Sequence, residues 1–159
     1  MPPKDLCNLS FITPADYEQE QQFNFVVEAS DGLNSTLQAI TVLINDLNEP
    51  PVVTEWRNNN FELIGSPEFS VEENSTGYFG TFRPSDPEGE EMVFSITDGF
   101  YISGYDKMYF SSTPDYERQS QFSPVLSISD GEFTTEYPLS ISVIDIDDNN
   151  SPEFTSSGI

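Results

Sequence analysis

Thirteen Asp, Glu and Asn side chains recur at spacings that suit a hard cation. The first set is Asp16-x-Glu18, followed by Asp46, Asn48 and Glu49. The second is Glu73, then Asp86-x-Glu88, Asp115-x-Glu117, Asp130, Asp145 and Asp148. In an extended segment, residues two apart point the same way, about 6.6–6.8 Å from each other. Two carboxylates so placed repel unless a cation lies between them. All these donors are oxygens. Such a set suits Ca²⁺, which takes six to eight oxygens in adaptable geometry, better than Zn²⁺, and Mg²⁺ rarely accepts an all-protein cage. The chain contains no His and a single Cys, Cys7. This excludes imidazole-ligated zinc, Ser-His and Cys-His nucleophile pairs, and an internal disulfide. A glycoside hydrolase needs two acids flanking a cleft. These acids cluster and repeat instead, so the chain is read as non-enzymatic.

The elements that must carry the acids repeat too. Asp16-Tyr17-Glu18 returns as Asp115-Tyr116-Glu117, Asp31-Gly32 as Asp130-Gly131, and Asp46 as Asp145, each 99 positions later with no gap. Phe11 and Phe23 meet Phe110 and Phe122 at the same offset. A period near one hundred residues is one β-sandwich domain. Phe23, Phe25, Val27 and Ala29 alternate with other residues, as do Ile40, Val42 and Ile44. Their counterparts are Phe122, Pro124, Leu126 and Ile128, then Leu139, Ile141 and Val143. Period-two alternation predicts strands with one buried face. Ser75-Thr76-Gly77, Asp86-Pro87-Glu88-Gly89 and Asp98-Gly99 punctuate the pattern, and no helical period emerges. Pro124 inside a strand pattern predicts an edge position. The expected domains are the second half of one repeat over 1–51, a complete repeat over 52–152, and a tail or the start of a further repeat over 153–159.

With 28 acids against five Lys and Arg, the formal charge is −23. Nucleic acid and anionic membrane both require basic patches, so neither is a partner. No apolar run approaches the roughly 20 residues of a membrane helix. Met1-Pro2-Pro3-Lys4-Asp5 lacks a signal peptide's basic-then-apolar pattern. An exported protein would carry that segment elsewhere, and attachment to a cell surface would run through regions outside this chain.

In order, D-x-E, D-G about fifteen residues on, and D-x-N-acid-x-P closing a strand resemble the cadherin repeat. Asp16 and Glu18 match that family's D-R-E motif with Tyr17 for Arg. Asp46, Asn48 and Glu49 match its D-x-N-D-N linker, with Glu49 for the second Asp and Pro50 for the final Asn. Val71-Glu72-Glu73-Asn74 matches V-P-E-N, Asp86-Pro87-Glu88 matches D-x-D, and Asp130-Gly131 matches the late Asp segment. Asp145-Ile146-Asp147-Asp148-Asn149 is a second linker. The resemblance implies an all-β, immunoglobulin-like Greek-key sandwich, Ca²⁺ as cofactor, and an extracellular or cell-surface location. It also implies adhesion to another protein or to self through adjacent repeats. It assigns Asp16, Glu18, Asp46, Asn48, Glu49, Glu73, Asp86, Glu88 and Asp130 to the junction near 46–51, and Asp115, Glu117, Asp145 and Asp148 to a downstream one.

The alternative reading is a calcium-dependent carbohydrate-binding module, with Tyr101, Tyr105 and Tyr109 as a stacking platform for polysaccharide. Trp56 is expected to pack against the second sandwich. Asn8, Asn34, Asn74 and Asn149 begin N-glycosylation patterns.

Overall fold

Thirteen strands and no helix make up residues 8–147, the part of the chain described by the computed structural model. The chain divides into two compact units, Met1–Asn48 and Glu49–Ile159.

In the first unit, β1 (Gln22–Ser30) and β2 (Ser35–Leu43) form an antiparallel hairpin. Its turn is tied by Asp31 Oδ1, which accepts from the Leu33 and Asn34 amides at 2.9 and 2.7 Å. Phe23, Phe25, Val27, Ile40, Val42 and Ile44 lie on one face and stay only half-buried.

The second unit runs through β3 (Val52–Asn58), β4 (Leu63–Ile64), β5 (Glu68–Glu72), β6 (Tyr78–Ser85) and β7 (Val93–Ile96). It continues with β8 (Phe100–Ser103), β9 (Lys107–Phe110), β10 (Gln121–Phe122), β11 (Val125–Ser129), β12 (Thr134–Pro138) and β13 (Ser140–Ile144). One sheet has the order β4-β3-β6-β9-β8. Against it lie β10-β13-β5 and β12-β11-β7. All pairings are antiparallel except that of β13 with β5. The chain crosses between the layers from β4 to β5, at each step from β5 to β8, and from β9 to β10, as in a Greek-key sandwich.

Alternation explains the core. Phe69 and Val71 on β5, Phe79 and Phe82 on β6, and Met108 and Phe110 on β9 are buried. They meet Leu126, Ile128, Leu139, Ile141 and Val143 from the opposite layer. Trp56 packs inside this core as expected, its ring 6.2–6.3 Å from Phe69 and Phe82 and 5.4 Å from Tyr137. The Tyr137 hydroxyl accepts from the Val53 amide at 2.8 Å, anchoring the first strand.

The internal repeat reappears in strand register. Gln22↔Leu43 and Phe23↔Val42 correspond to Gln121↔Ser142 and Phe122↔Ile141, and Val26↔Ala39 corresponds to Val125↔Pro138. The second copy breaks where the first does not. Phe25 pairs with Ile40, whereas their counterparts Pro124 and Leu139 fall in gaps between strands. Pro124 has no N–H to give the ladder. The ladder is therefore interrupted there, and the Leu139 amide, donating to the Pro124 carbonyl at 2.8 Å, bridges the gap. The expected edge position is thus corrected. Pro124 is buried and joins β10, an edge strand, to β11, a central one.

Candidate metal centre

The D-x-E segments are turns, which corrects the extended geometry assumed for them. Asp115 Oδ1 accepts from the Arg118 amide at 2.9 Å while its carbonyl accepts from Gln119 at 3.0 Å. Asp16 does the same in the first unit, with Gln19 and Glu20 as donors at 3.1 and 3.0 Å. The Asp thus caps a single turn that carries the following Glu.

At the end of β5, Glu73 is 2% exposed yet ionisable. Burial of a carboxylate requires partners. Glu73 Oε1 accepts from the Ile146 amide at 2.8 Å, and Oε2 from the Tyr116 amide at 3.0 Å. These donors, Ile146 first, hold the carboxyl below its ordinary value. Three elements meet here for stated reasons. Parallel pairing of β13 with β5 ends together at Ile144 and Glu72, and the Glu73 amide donates to the Ile144 carbonyl at 3.1 Å. Asn74, in the left-handed region at φ 57°, turns its amide onto the Pro114 carbonyl at 3.0 Å and so fixes the 115–117 turn. The result brings carboxylate oxygens of Glu73, Glu117 and Asp145 within 4.8 Å of one another. Two oxygens on one Ca²⁺ lie at most about 5 Å apart, since each bond is roughly 2.3–2.6 Å. The donor set therefore fits that ion. Glu117 and Asp145 are exposed, so water can complete a shell.

The other end of this unit gathers different acids. Asp86 and Glu88 follow β6, in a turn where the Gly89 amide donates to the Asp86 carbonyl at 3.3 Å and the Glu90 amide to Asp86 Oδ1 at 3.2 Å. Glu88 Oε2 accepts from the Glu49 amide at 3.3 Å, and the Glu49 and Glu88 carboxylates approach within 4.8 Å. Asp86 Oδ2 and Glu88 Oε1 are buried without a hydrogen-bond partner. Orphaned carboxylate oxygens of this kind fit a cation. Asp130 sits at the β11–β12 turn, at the same end as the start of β7, because Ser129 pairs with Val93. Its Oδ1 is engaged by the Glu132 and Phe133 amides at 2.7 and 2.6 Å. The length of β6, about 25 Å at 3.3 Å per residue, separates these acids from Glu73. The sequence grouped Glu73 with Asp86, Glu88 and Asp130, and the structure corrects this by placing it with Glu117 and Asp145.

In the first unit Asp16, Glu18 and Asp46 are exposed and Asn48 is half-buried. The backbone donors to Asp31 lower its pKa, Asn34 first and Leu33 second. Asp148 and Asn149 lie outside the described residues. The three tyrosines form no common platform. Tyr105 stands edge-on to Phe94 at 4.9 Å, while Tyr101 and Tyr109 stack on each other at 5.1 Å and 12°.

No protein-family model matches the chain. Among curated proteins, the Fat-like cadherin-related tumor suppressor homolog of Drosophila melanogaster is 28% identical over 153 residues, covering 86% of this chain and 3% of the relative. Protocadherin-15 of Mus musculus is 26% identical over 161 residues, covering 94% and 8%. The chain thus spans less than a tenth of either relative. Protocadherin Gamma B2 extracellular cadherin domains 3-6 superpose with a TM-score of 0.58 at 19% identity, over 84% of this chain and 33% of that one. The Protocadherin GammaB4 extracellular domain gives 0.57 at 22% identity, over 86% and 23%. Both of these solved structures are of extracellular domains. Sequence similarity and fold converge, and the chain is an all-β protein that resembles cadherin repeats in both.

Proposed function

We propose that the chain is a calcium-binding structural and adhesion module, in which Ca²⁺ stiffens the ends of its repeats within a longer extracellular array. The observation that carries this reading is the convergence of Glu73, Glu117 and Asp145 at the end of the sandwich from which the following linker departs. A bound divalent cation would neutralise mutually repelling carboxylates and fix the linker relative to β5 and the 115–117 turn. Asp115 supports the site by capping the turn that carries Glu117. Asp148 joins the proposal by the sequence pattern alone, as do Asp16, Glu18, Asp46, Asn48 and Glu49. Asp86, Glu88 and Asp130 are proposed as ligands at the opposite end of the complete repeat. The domains proposed with it are the C-terminal half of a repeat over 1–51, a complete repeat over 52–152, and the start of a further repeat or a tail over 153–159. The partner is another protein or a second copy, engaged through adjacent repeats, and the module is non-catalytic.

The test is a calorimetric calcium titration paired with thermal melts in calcium, in magnesium and in chelator. A ligand that binds only the native state at a hundred times its Kd stabilises it by about 2.7 kcal/mol. Calcium should raise the melting temperature, magnesium less, and chelator should leave the β signal intact. Glu117→Gln and Asp145→Asn should weaken calcium binding, whereas Asp98→Asn, in a turn outside the pattern, should not. Identical melts in all three solutions would remove the calcium reading.

A further inference from the structure

Three of the five Lys and Arg residues of this strongly acidic chain line a single groove. Trp56, Phe82 and Met108 point into the core from β3, β6 and β9. Their strand neighbours Arg57, Arg83 and Lys107 therefore point outward, onto the open face of the five-stranded sheet. Between them lies a groove of about 500 Å³. Glu55 organises it. Its carboxylate accepts from Arg57 at 3.0 Å and from Arg83 at 3.3 Å, which fixes the two guanidinium planes. Arg57 also donates to the Phe61 carbonyl at 3.0 Å. Phe61 is 57% exposed and sits in the left-handed region at φ 64°, a conformation that is costly for an aromatic residue. This turn leaves the Phe61 ring, in contact with Tyr78 at 5.9 Å but still exposed, at the end of a cationic groove.

We propose that this groove is a docking site for an extended acidic segment of a partner protein, one that presents one or two carboxylates beside an apolar residue. Charge sets the class of ligand. Arg57, Arg83 and Lys107 face only Glu55 and Asp106 in the lining, which leaves one positive charge in excess. That excess suits one or two carboxylates. A long polyanion would extend beyond the groove onto a surface carrying the rest of a −23 chain. Arg83 keeps 69% of its side chain exposed, and guanidinium groups have more N–H donors than Glu55 takes up, so bidentate pairing with a carboxylate is available. Phe61 supplies the apolar contact. Exposed arginines and aromatics at the centre of a patch are the side chains that carry protein–protein binding energy. This proposal is independent of the calcium reading, since none of the groove residues is a candidate metal ligand.

The experiment uses the full chain, isotope-labelled and in calcium. It is titrated with an acetylated, amidated octapeptide that carries two glutamates around a phenylalanine, and followed by amide chemical shifts. Perturbations should centre on residues 55–57, 81–83 and 105–107. Arg83→Glu should weaken binding by about tenfold or more, the cost of losing one charge-assisted pair. A peptide with glutamines for glutamates should bind about tenfold more weakly. Phe61→Ser should reduce affinity by a smaller factor without changing the salt dependence. Arg83→Gln, a milder change at an exposed position, separates lost binding from lost folding, because its melting temperature should equal that of the parent. Unchanged affinity in Arg83→Glu, or shifts centred elsewhere, would overturn the proposal. So would a sulfated oligosaccharide that perturbs the same amides at lower concentration than the peptide.

Discussion

Ile141 and Val42 occupy the same place in two copies of one hairpin, paired with Phe122 and Phe23 respectively. Ile141 is fully buried between two layers, whereas Val42 is half-exposed. Truncating each to Ala is therefore an internally matched measurement. Ile141→Ala removes a buried branched side chain that Phe69 and Phe122 flank from neighbouring strands, and should cost about 2–5 kcal/mol. In a domain of about one hundred residues, each kcal/mol moves the melting temperature by roughly 4–8 °C. A central cost of about 3 kcal/mol then predicts a fall of about 12–24 °C. Val42→Ala should cost less than about 1 kcal/mol, because little of its surface leaves water. Trp56, the single tryptophan, is buried in the core of the second unit. Its fluorescence follows the Ile141→Ala melt, and far-ultraviolet circular dichroism, which reports the strands of both units, follows the Val42→Ala melt. Equal falls for the two variants would refute the reasoning. A shift of only a few degrees for Ile141→Ala would show that the core is not organised around β13.

Gly80→Ala should be among the most harmful small changes, costing about 1–3 kcal/mol or more. A Cβ there would lie 2.4 Å from the Arg57 carbonyl oxygen and 2.6 Å from the Phe69 ring, so chemical denaturation should show a markedly lower midpoint. Tyr78→Phe should be neutral or stabilising, because the hydroxyl is buried with no hydrogen-bond partner and its deletion strands nothing. Burial already raises the pKa of that phenol. Glu73 has a carboxyl pKa below its ordinary 4.5 in the fold, so its contribution is present above that value and fades as pH falls through the lower folded value. Melts in chelator should therefore decline progressively below about pH 4.5, and Glu73→Gln should flatten that decline.

Much of the fold was legible in the residues. The 99-residue offset carried through to strand pairing, where Phe23↔Val42 and Phe122↔Ile141 share one register. Period-two alternation identified Leu126, Ile128 and Ile141, all fully buried, because burial of one strand face is a local rule. The candidate site was less legible, because it is made by distant contacts. Glu73 meets Asp145 through the parallel pairing of β5 with β13, two segments some seventy positions apart in sequence, and no local pattern announces a parallel neighbour. The D-x-E spacing suggested a strand because period two was assumed. The Asp side chain competed for the backbone and made a turn. The cationic groove was invisible for a similar reason. Its arginines and lysine come from three strands and converge only once the sheet order is known.

The parallel pairing of β13 with β5 also has a mechanical meaning. In a chain of such units, tension enters the second unit before Val52 and leaves after Ile144. The outgoing pull runs along β13, which is held on one side by β5 and on the other by β10. Parallel partners ending together, Ile144 beside Glu72, cannot be peeled apart one rung at a time by such a pull. The β5–β13 ladder is loaded in shear, with its bonds sharing the force. Glu73, receiving the Ile146 amide just past the last rung, adds a catch where slippage would begin. The same geometry that gathers carboxylates at the end of the sandwich thus sets the direction along which the second unit best resists being pulled.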